Sequence, residues 1–472
     1  MNIGGSGPVR RLLGSPESKH FLSREECVEL FNRILSFCGG GGDTFVSIVS
    51  RWTGTTRWAH NHTYIAAETQ TVDVQIERSI HSRGGFVQTN RIDDDGLREA
   101  VQLAERTRSA SRTWYEGSPV DPDVHASITH PTLWSDATFA LGADARTKIA
   151  HDMIATALDA GVNAAGTVTL SAHGHAVLAT NGMSRYYPVT SVDCSMTARN
   201  VSARASGWAG KNDYDLARVD SVAIARTAVA KCRNSANPRS IEPGRYKAIL
   251  EPQAVHDLVA PLVERAMGRE MAEQGNGPFV YHSAETASKI GLKVADERLI
   301  LSADPMDPEA SFLPFDDDGT PFRAVTWIDR GVLRDLYYGR TYAVRSLGWE
   351  TALPNSTSFR LSAVPDVAVI SLEEMIANTE RGILVTRFSH VDLIDIRSML
   401  CSGFTRDGLW LIQDGKISMP ITNFRFVESP LFIMNRLDAI GTPTRVFAPD
   451  LARMVPALAV RDFHFTSLAD AV

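Results

Sequence analysis

The sequence has no long apolar run. No segment approaches the roughly 18 uninterrupted apolar residues of a membrane-spanning helix, so no helical span is expected. Cysteine is scarce, with Cys27, Cys38, Cys194, Cys232 and Cys401 the complete set of 5. They are far apart, odd in number and lack a CxxC pair, which excludes a disulfide framework or a zinc ribbon. Positive charge is also in deficit: 48 Lys and Arg against 55 Asp and Glu give a net charge of −7. Nucleic-acid binding as the main task is not expected, because phosphate contacts need clustered Lys and Arg. The start carries an Arg10-Arg11 pair but no apolar stretch after it, so neither a secretory nor a twin-arginine signal is expected. Residues 1–21 read as a flexible extension and the cytoplasm as the compartment.

Several chemical signatures are missing too. The run Gly39–Gly42 has no Lys-Ser/Thr after it, so it reads as a helix stop and not a phosphate loop. No GxSxG elbow exists for a serine hydrolase. None of the 13 histidines precedes a glutamate, so HExxH and HExxxH are both absent.

What is present is ordinary globular composition, 44% hydrophobic and 22% charged over 472 residues, enough for about three domains. Ser23 and Glu26 form a capping-box pattern, and Cys27, Leu30, Phe31, Ile34 and Leu35 form a helical stripe. Short β-like runs follow at Thr44–Arg51, Thr56–Trp58, Thr63–Ala67, Val72–Ile80 and Gly85–Thr89, then a helix from Asp95 to about Arg108. The same order recurs. A helix near Ala145–Leu158 leads to a strand at Thr167–Ser171. Trp58-Ala59-His60-Asn61 is echoed by Leu178-Ala179-Thr180-Asn181, and Thr71–Ile76 by Ser191–Met196, both 120 residues on. One offset carrying two matches indicates two copies of a helix–meander–helix unit, with domains at 22–115 and 116–236.

A polar linker, Asn234–Pro238, precedes a different half at 240–472. Tyr246–Leu250 reads as a strand. Pro252 opens a helix with Val255, Leu258, Val259, Leu262 and Ala266 on one stripe. Phe322–Ile328 and Val332–Tyr338 flank the turn Asp329-Arg330-Gly331. Leu409–Gln413 and Lys416–Ile421 flank Asp414-Gly415. The expected fold class is α+β: two repeated helix–antiparallel meander–helix units, then a large, mainly antiparallel β domain with a few helices.

The stretch Phe315–Leu333 resembles the FDxEGxPxxxxxLIxxGVL block of the TldD/PmbA (TldE) metallopeptidase family. Gly403–Pro420 resembles that family's second hairpin block. Asn423–Pro430 resembles relatives that lack the protease motif. Arg57–Asn61 and Gly84-Gly85 before Asn90 resemble its N-terminal domain. The resemblance covers about Ser23 to Gly441. It implies a cytoplasmic assembly of a TldD-like and a PmbA-like chain that trims unfolded peptides or peptide-toxin precursors. In the active chain an HExxxH helix and a distant cysteine bind zinc. The family is also named for modulation of DNA gyrase.

The resemblance places the zinc helix near Leu258–Met267. Here that segment reads Ala260-Pro261-Leu262-Val263-Glu264-Arg265, without either ligand histidine, and Pro261 should kink it. No resident metal or cofactor is expected. His256-Asp257 reads as a surface pair near a helix start. Two His-x-His pairs, His60/His62 and His173/His175, could chelate a metal from one strand face; half-buried strand positions are the plainer reading. Cys401 could act as a nucleophile with His390 and Asp395, but its position before a hairpin favours a buried structural thiol. Asp316-Asp317-Asp318-Gly319 reads as a polar turn and not a calcium loop.

No catalytic residue is assigned, and whether the chain is an enzyme is left open. The first reading is a zinc-free structural or substrate-holding subunit. Its partners would be an HExxxH-bearing TldD-like paralogue or a second copy, and an unfolded or extended peptide, with neither nucleic acid nor membrane. A stand-alone hydrolase using a His-x-His pair or Cys401, and a homodimeric peptide-binding protein, are the alternatives. The apolar stretch Phe424–Met434 either packs within its own domain or, with the Phe322–Ile328 hairpin, faces a second subunit.

Overall fold

The computed structural model of the chain describes residues 20–80, 83–107, 130–281, 288–348 and 352–469. Most of the N-terminal extension, with Arg10-Arg11, lies outside the described residues. Helix α1 (Arg24–Phe37) begins where Ser23 Oγ accepts from the Glu26 amide and the Glu26 carboxylate accepts from the Ser23 amide. This is the capping box that the sequence pattern implied. Cys27, Leu30, Phe31 and Ile34 form its buried stripe.

The next strands are β1 (Asp43–Ala59), β2 (His62–Ile80) and β3 (Arg83–Thr89), followed by α2 (Asp94–Thr107). The five expected short runs are thus three strands. The polar breaks inside them vanish because β1 and β2 pair from Asp43–Ser79 to Ala59–His62. A ladder of that length overrides weak local turn preference. The second copy is α3 (Ala143–Asp159), β4 (Asn163–Ala179), β5 (Ser184–Asn200), β6 (Ala205–Asp213) and α4 (Ser221–Asn234). Strand β4 starts and ends 120 residues after β1, Asp43 matching Asn163 and Ala59 matching Ala179.

The two copies share one sheet, ordered β3-β2-β1-β4-β5-β6. In its central β1–β4 ladder Trp52 faces Ala172, its own counterpart in the repeat, so a pseudo-two-fold axis passes through that pair. The four helices cover one face. Val46, Ile48, Val74 and Ile76 pack with α1 and α2, and Trp52, Trp58, Val168 and Leu170 with α3 and α4. Each such fully buried apolar side chain contributes about 1.5–3 kcal/mol.

The C-terminal half is built from two further sheets. One is ordered β10-β9-β8-β11-β18-β17, formed by β8 (Leu299–Ala303), β9 (Val325–Asp329), β10 (Val332–Leu333), β11 (Phe359–Ala363), β17 (Thr444–Arg445) and β18 (Arg453–Val455). The other comprises β7 (Gly244–Leu250), β12 (Arg381–Asp395), β13 (Leu400–Gln413), β14 (Lys416–Pro420), β15 (Phe424–Glu428) and β19 (Leu458–Leu468), with β16 (Leu437–Ile440) paired to β19. Its order is β12-β7-β19-β15-β13-β14, and β12 also pairs with β13, so five strands close on themselves. Helix α5 (Pro252–Arg265) packs between the sheets with Pro252 at its first turn. It runs through Pro261 as one helix.

Both expected turns form, with left-handed φ at Arg330 and Gly331 (48° and 73°) and at Asp414 and Gly415 (49° and 73°). The strand after Gly331 is shorter than expected. The Tyr337 and Tyr338 amides donate to the carbonyls of Met267 and Leu353 and not to the hairpin. In the stretch Phe424–Met434, Phe424, Phe426 and Met434 are fully buried in their own domain and Ile433 nearly so; Phe432 points outward, 45% exposed. Among the described residues no helix is long and apolar enough to cross a membrane.

Candidate functional site

The face of the first sheet opposite the helices carries a polar patch at its centre, flanked by Phe45 and Val177. Strand alternation puts Ser47 and Arg51 of β1, Gln75 and Glu77 of β2, Ser171, His173 and His175 of β4, and Ser191 and Asp193 of β5 on it. Water does not cover this face at its centre. His173 and His175 are only 7% and 3% exposed, because the C-terminal domain lies over them.

Two loops make that cover. The first is the turn Asp316–Thr320, where Asp316 Oδ1 accepts from the Asp318 and Thr320 amides. Gly319 sits there at φ 74°, and a Cβ on it would come within 2.9 Å of Met183 Sδ and 3.2 Å of Val177. The turn brings Phe315 to 5.3 Å from the His175 ring and Asp317 to 3.7 Å from His175 Nε2. Ser47 Oγ lies 3.2 Å from the same nitrogen. The second loop lies between β17 and β18. Asp450 pairs with Arg51 at 2.8 Å, and Asn212 bonds the Leu451 carbonyl and the Ala448 amide.

Between the sheet and these loops is a cavity of about 360 Å³. His173, Asp213, Asp316, Asp317, Arg445 and Asp450 line it, with an aromatic wall of Phe312, Phe315 and Phe322. Its electrostatics follow from burial. Burial pushes His173 down to about 4, helped by the Arg51 charge, and lowers His175 as well. Both imidazoles are therefore neutral at pH 7. Burial and the neighbouring Asp450 push Asp193 up to about 7; burial and the Asp318 charge do the same to Asp316 and to Glu77. His173 Nδ1, Asp193 Oδ1 and Ser171 Oγ are buried without a hydrogen-bond partner.

Other candidates from the sequence are placed differently. His60 and His62 do not share a strand face: His60 and Asn61 are the left-handed turn between β1 and β2, with φ 51° and 63°, and both histidines are exposed. His173 and His175 do share a face, buried and not half-buried. Among the described residues no group of three or more His, Cys, Asp or Glu side chains could hold a metal ion. Cys401 is fully buried, its thiol 3.4 Å from the Met399 carbonyl and pushed up to about 11 by burial. Asp395 caps its own turn through Ser398 and Arg397, and His390 is exposed beside Ser389, so no nucleophilic triad assembles.

His256 is not a surface residue. It is 8% exposed on α5, with Nε2 2.8 Å from Arg453 Nη1 and Nδ1 3.2 Å from Asp257 Oδ1. Arg453, itself 2% exposed, also donates to Glu264 Oε1 at 2.6 Å and to the Thr357 carbonyl at 3.0 Å. Asp257 Oδ2 accepts from the Phe388 amide at 2.9 Å. Arg453 thus occupies the polar centre beneath α5 and ties the helix to β18, while Asp257 ties it to β12.

Residues 243–467 match the PmbA/TldA metallopeptidase C-terminal domain. The chain belongs to the TldD/PmbA family. A metalloprotease TldD homologue of Buchnera aphidicola is 26% identical over 163 residues, which covers 32% of this chain and 33% of that relative. This TldD/PmbA-family chain thus matches about a third of the curated relative's length. The fold is also that of three solved structures. A protein named for modulation of DNA gyrase from Bacteroides thetaiotaomicron superposes with a TM-score of 0.77 at 18% identity, over 94% of this chain and 100% of the other. A second protein so named, from Thermotoga maritima, gives 0.77 at 15%, over 93% and 100%. TldE from Thermococcus kodakarensis gives 0.77 at 16%, over 94% and 99%.

The family block Phe315–Leu333 turns out to deliver the turn that covers His175. Sequence reasoning singled out His173 and His175 but found no acidic neighbours. Those neighbours, Asp317 and Asp450, come from two separate segments. The one available signal was the polar alternation Ser171-x-His173-x-His175 beside Ser191-x-Asp193, which reads equally well as a solvated face.

Proposed function

We propose that this chain is the zinc-free, substrate-holding subunit of a TldD/PmbA-type peptidase system. It holds unfolded or extended peptide, and a partner carrying HExxxH performs the hydrolysis. The observation that carries this reading is α5. The segment that the family resemblance equates with the zinc helix lacks both ligand histidines, and the ring nitrogens of its one histidine face Arg453 and Asp257. A zinc peptidase needs histidines with free lone pairs, a carboxylate base and an open coordination position; α5 has one histidine, already engaged, and its carboxylates Asp257 and Glu264 are held by the Phe388 amide and Arg453.

Peptide holding suits the rest of the molecule. Extended peptide adds to sheet edges through main-chain hydrogen bonds, and pockets beside the edge select side chains. Strand β17 ends the second sheet, and its Arg445 lines the cavity. The partner in this reading is an HExxxH-bearing paralogue or, for binding alone, a second copy, and the compartment is the cytoplasm. Hydrolysis of an unfolded peptide is measured with the pure chain, the pure paralogue and the mixture. The mixture should exceed the paralogue alone, and the chain alone should be inactive. Hydrolysis by the isolated chain that survives removal of every trace of the paralogue would overturn the proposal.

A further inference from the structure

The cavity between the first sheet and the C-terminal loops has a charge pattern that points to one kind of guest. Two arginines beside it, Arg51 and Arg445, are already committed. Arg51 pairs with Asp450 at 2.8 Å. Arg445 donates to the carbonyls of Asn212 and Glu309 at 2.8 and 2.7 Å and lies 3.6 Å from Asp213. What remains in the lining is Asp316 and Asp317, with the neutral His175 ring 3.7 Å from Asp317. Arg185 interacts with Asp316 and Arg340 with Asp318, two cations against the four carboxylates Asp316, Asp317, Asp318 and Glu77 at that end.

A second observation is independent of that acidic surplus. His173 is 7% exposed, lines the cavity and has a ring nitrogen without a partner. A buried polar atom left unpaired is costly, so it marks a place where a polar partner belongs. In the tautomer with the proton on Nε2, His173 Nδ1 accepts a hydrogen bond from a guest N–H. Phe312, Phe315 and Phe322 supply an apolar flank and π faces, which favour a cation carried on an aliphatic stem.

We propose that this cavity binds a primary ammonium group presented by a peptide, either its amino terminus or a lysine side chain, with Asp316, Asp317 and His173 as acceptors. The assignment rests on the peptide-holding reading and narrows its substrate class. A guest cation also favours the ionised forms of Asp316 and Asp193, both held near 7, so binding at pH 7 should release protons.

The probe is the peptide Ala-Ala-Lys-Ala-Ala amide, used with a free or acetylated amino terminus and with lysine or norleucine at the centre. Affinity and proton release are measured by calorimetry on the full chain in buffers of different ionisation enthalpy. Loss of binding on acetylation alone identifies the amino terminus as the guest, and loss on norleucine alone identifies lysine; both support the assignment. Asp317→Asn changes a side chain that is 86% exposed, so the fold is kept, and it should weaken the peptide about fivefold. His173→Leu should remove the binding, with an unchanged circular dichroism spectrum as the check on folding. Equal affinity for the acetylated norleucine peptide, or an unaltered Asp317→Asn, overturns the cation assignment but leaves peptide holding intact. No binding of any of the four peptides overturns both.

Discussion

Replacing Arg453 with methionine should destabilise the C-terminal domain by about 3–5 kcal/mol, the range for removing one partner of a buried ion pair. The guanidinium is 2% exposed and donates to His256 Nε2, Glu264 Oε1 and the Thr357 carbonyl at 2.8, 2.6 and 3.0 Å. It also lies over the Phe359 ring at 5.2 Å. Methionine keeps the buried stem but strands all three acceptors, and each neutral acceptor left unpaired costs about 1–3 kcal/mol. The Glu264 carboxylate is 34% exposed and can regain water, which puts the total at the lower end of the range. The double variant Arg453→Met/Glu264→Leu removes the stranded carboxylate along with the cation. It should therefore be more stable than Arg453→Met alone by about 1 kcal/mol. Urea unfolding, followed by hydrogen exchange at the α5 amides, reads this directly. A single variant within about 0.5 kcal/mol of the parent, or a double variant less stable than the single, would refute the reasoning.

Three further outcomes follow from the same geometry. Asp193 is held near 7, above its unfolded value, mainly by burial and then by Asp450, so the stability it contributes is present below pH 4 and lost as pH rises to 7; relative to the parent, Asp193→Asn should gain on the order of a few kcal/mol across that window in pH-dependent unfolding, and a flat difference would contradict this. Gly54→Ala would put a Cβ 2.3 Å from Nη1 of Arg146, a fully buried side chain paired with Glu68 at 2.8 Å; melting curves should show a loss of about 1–3 kcal/mol, partly recovered by adding Arg146→Met. Cys401, with its thiol pushed up to about 11, should resist a thiol reagent at pH 7.5 until the protein unfolds, and labelling at the rate of a free thiol would refute its burial.

The legible parts of the sequence were local patterns and their repetition. The Ser23–Glu26 cap, the Asp414-Gly415 turn and the 120-residue echo each depend on residues near one another, or on one strand copied whole. The joining of short runs into β1 and β2 was not legible, because pairing of distant segments decides it. The site was half legible for the same reason. His173 and His175 share a face by strand period alone, but whether water or protein covers that face is set by loops around residues 317 and 450. His256 misled because its polar type suggests a surface, and its partner Arg453, which also bonds Glu264, meets it only in three dimensions.

On the reading proposed above, the chain holds peptide without a zinc ion of its own. Metal analysis of the pure protein by plasma mass spectrometry, after growth in zinc-supplemented medium, tests it most directly. Well under one zinc per chain is expected, with peptide binding unchanged by a chelator. One tightly held zinc per chain, lost in the His173→Ala/His175→Ala variant, would contradict it.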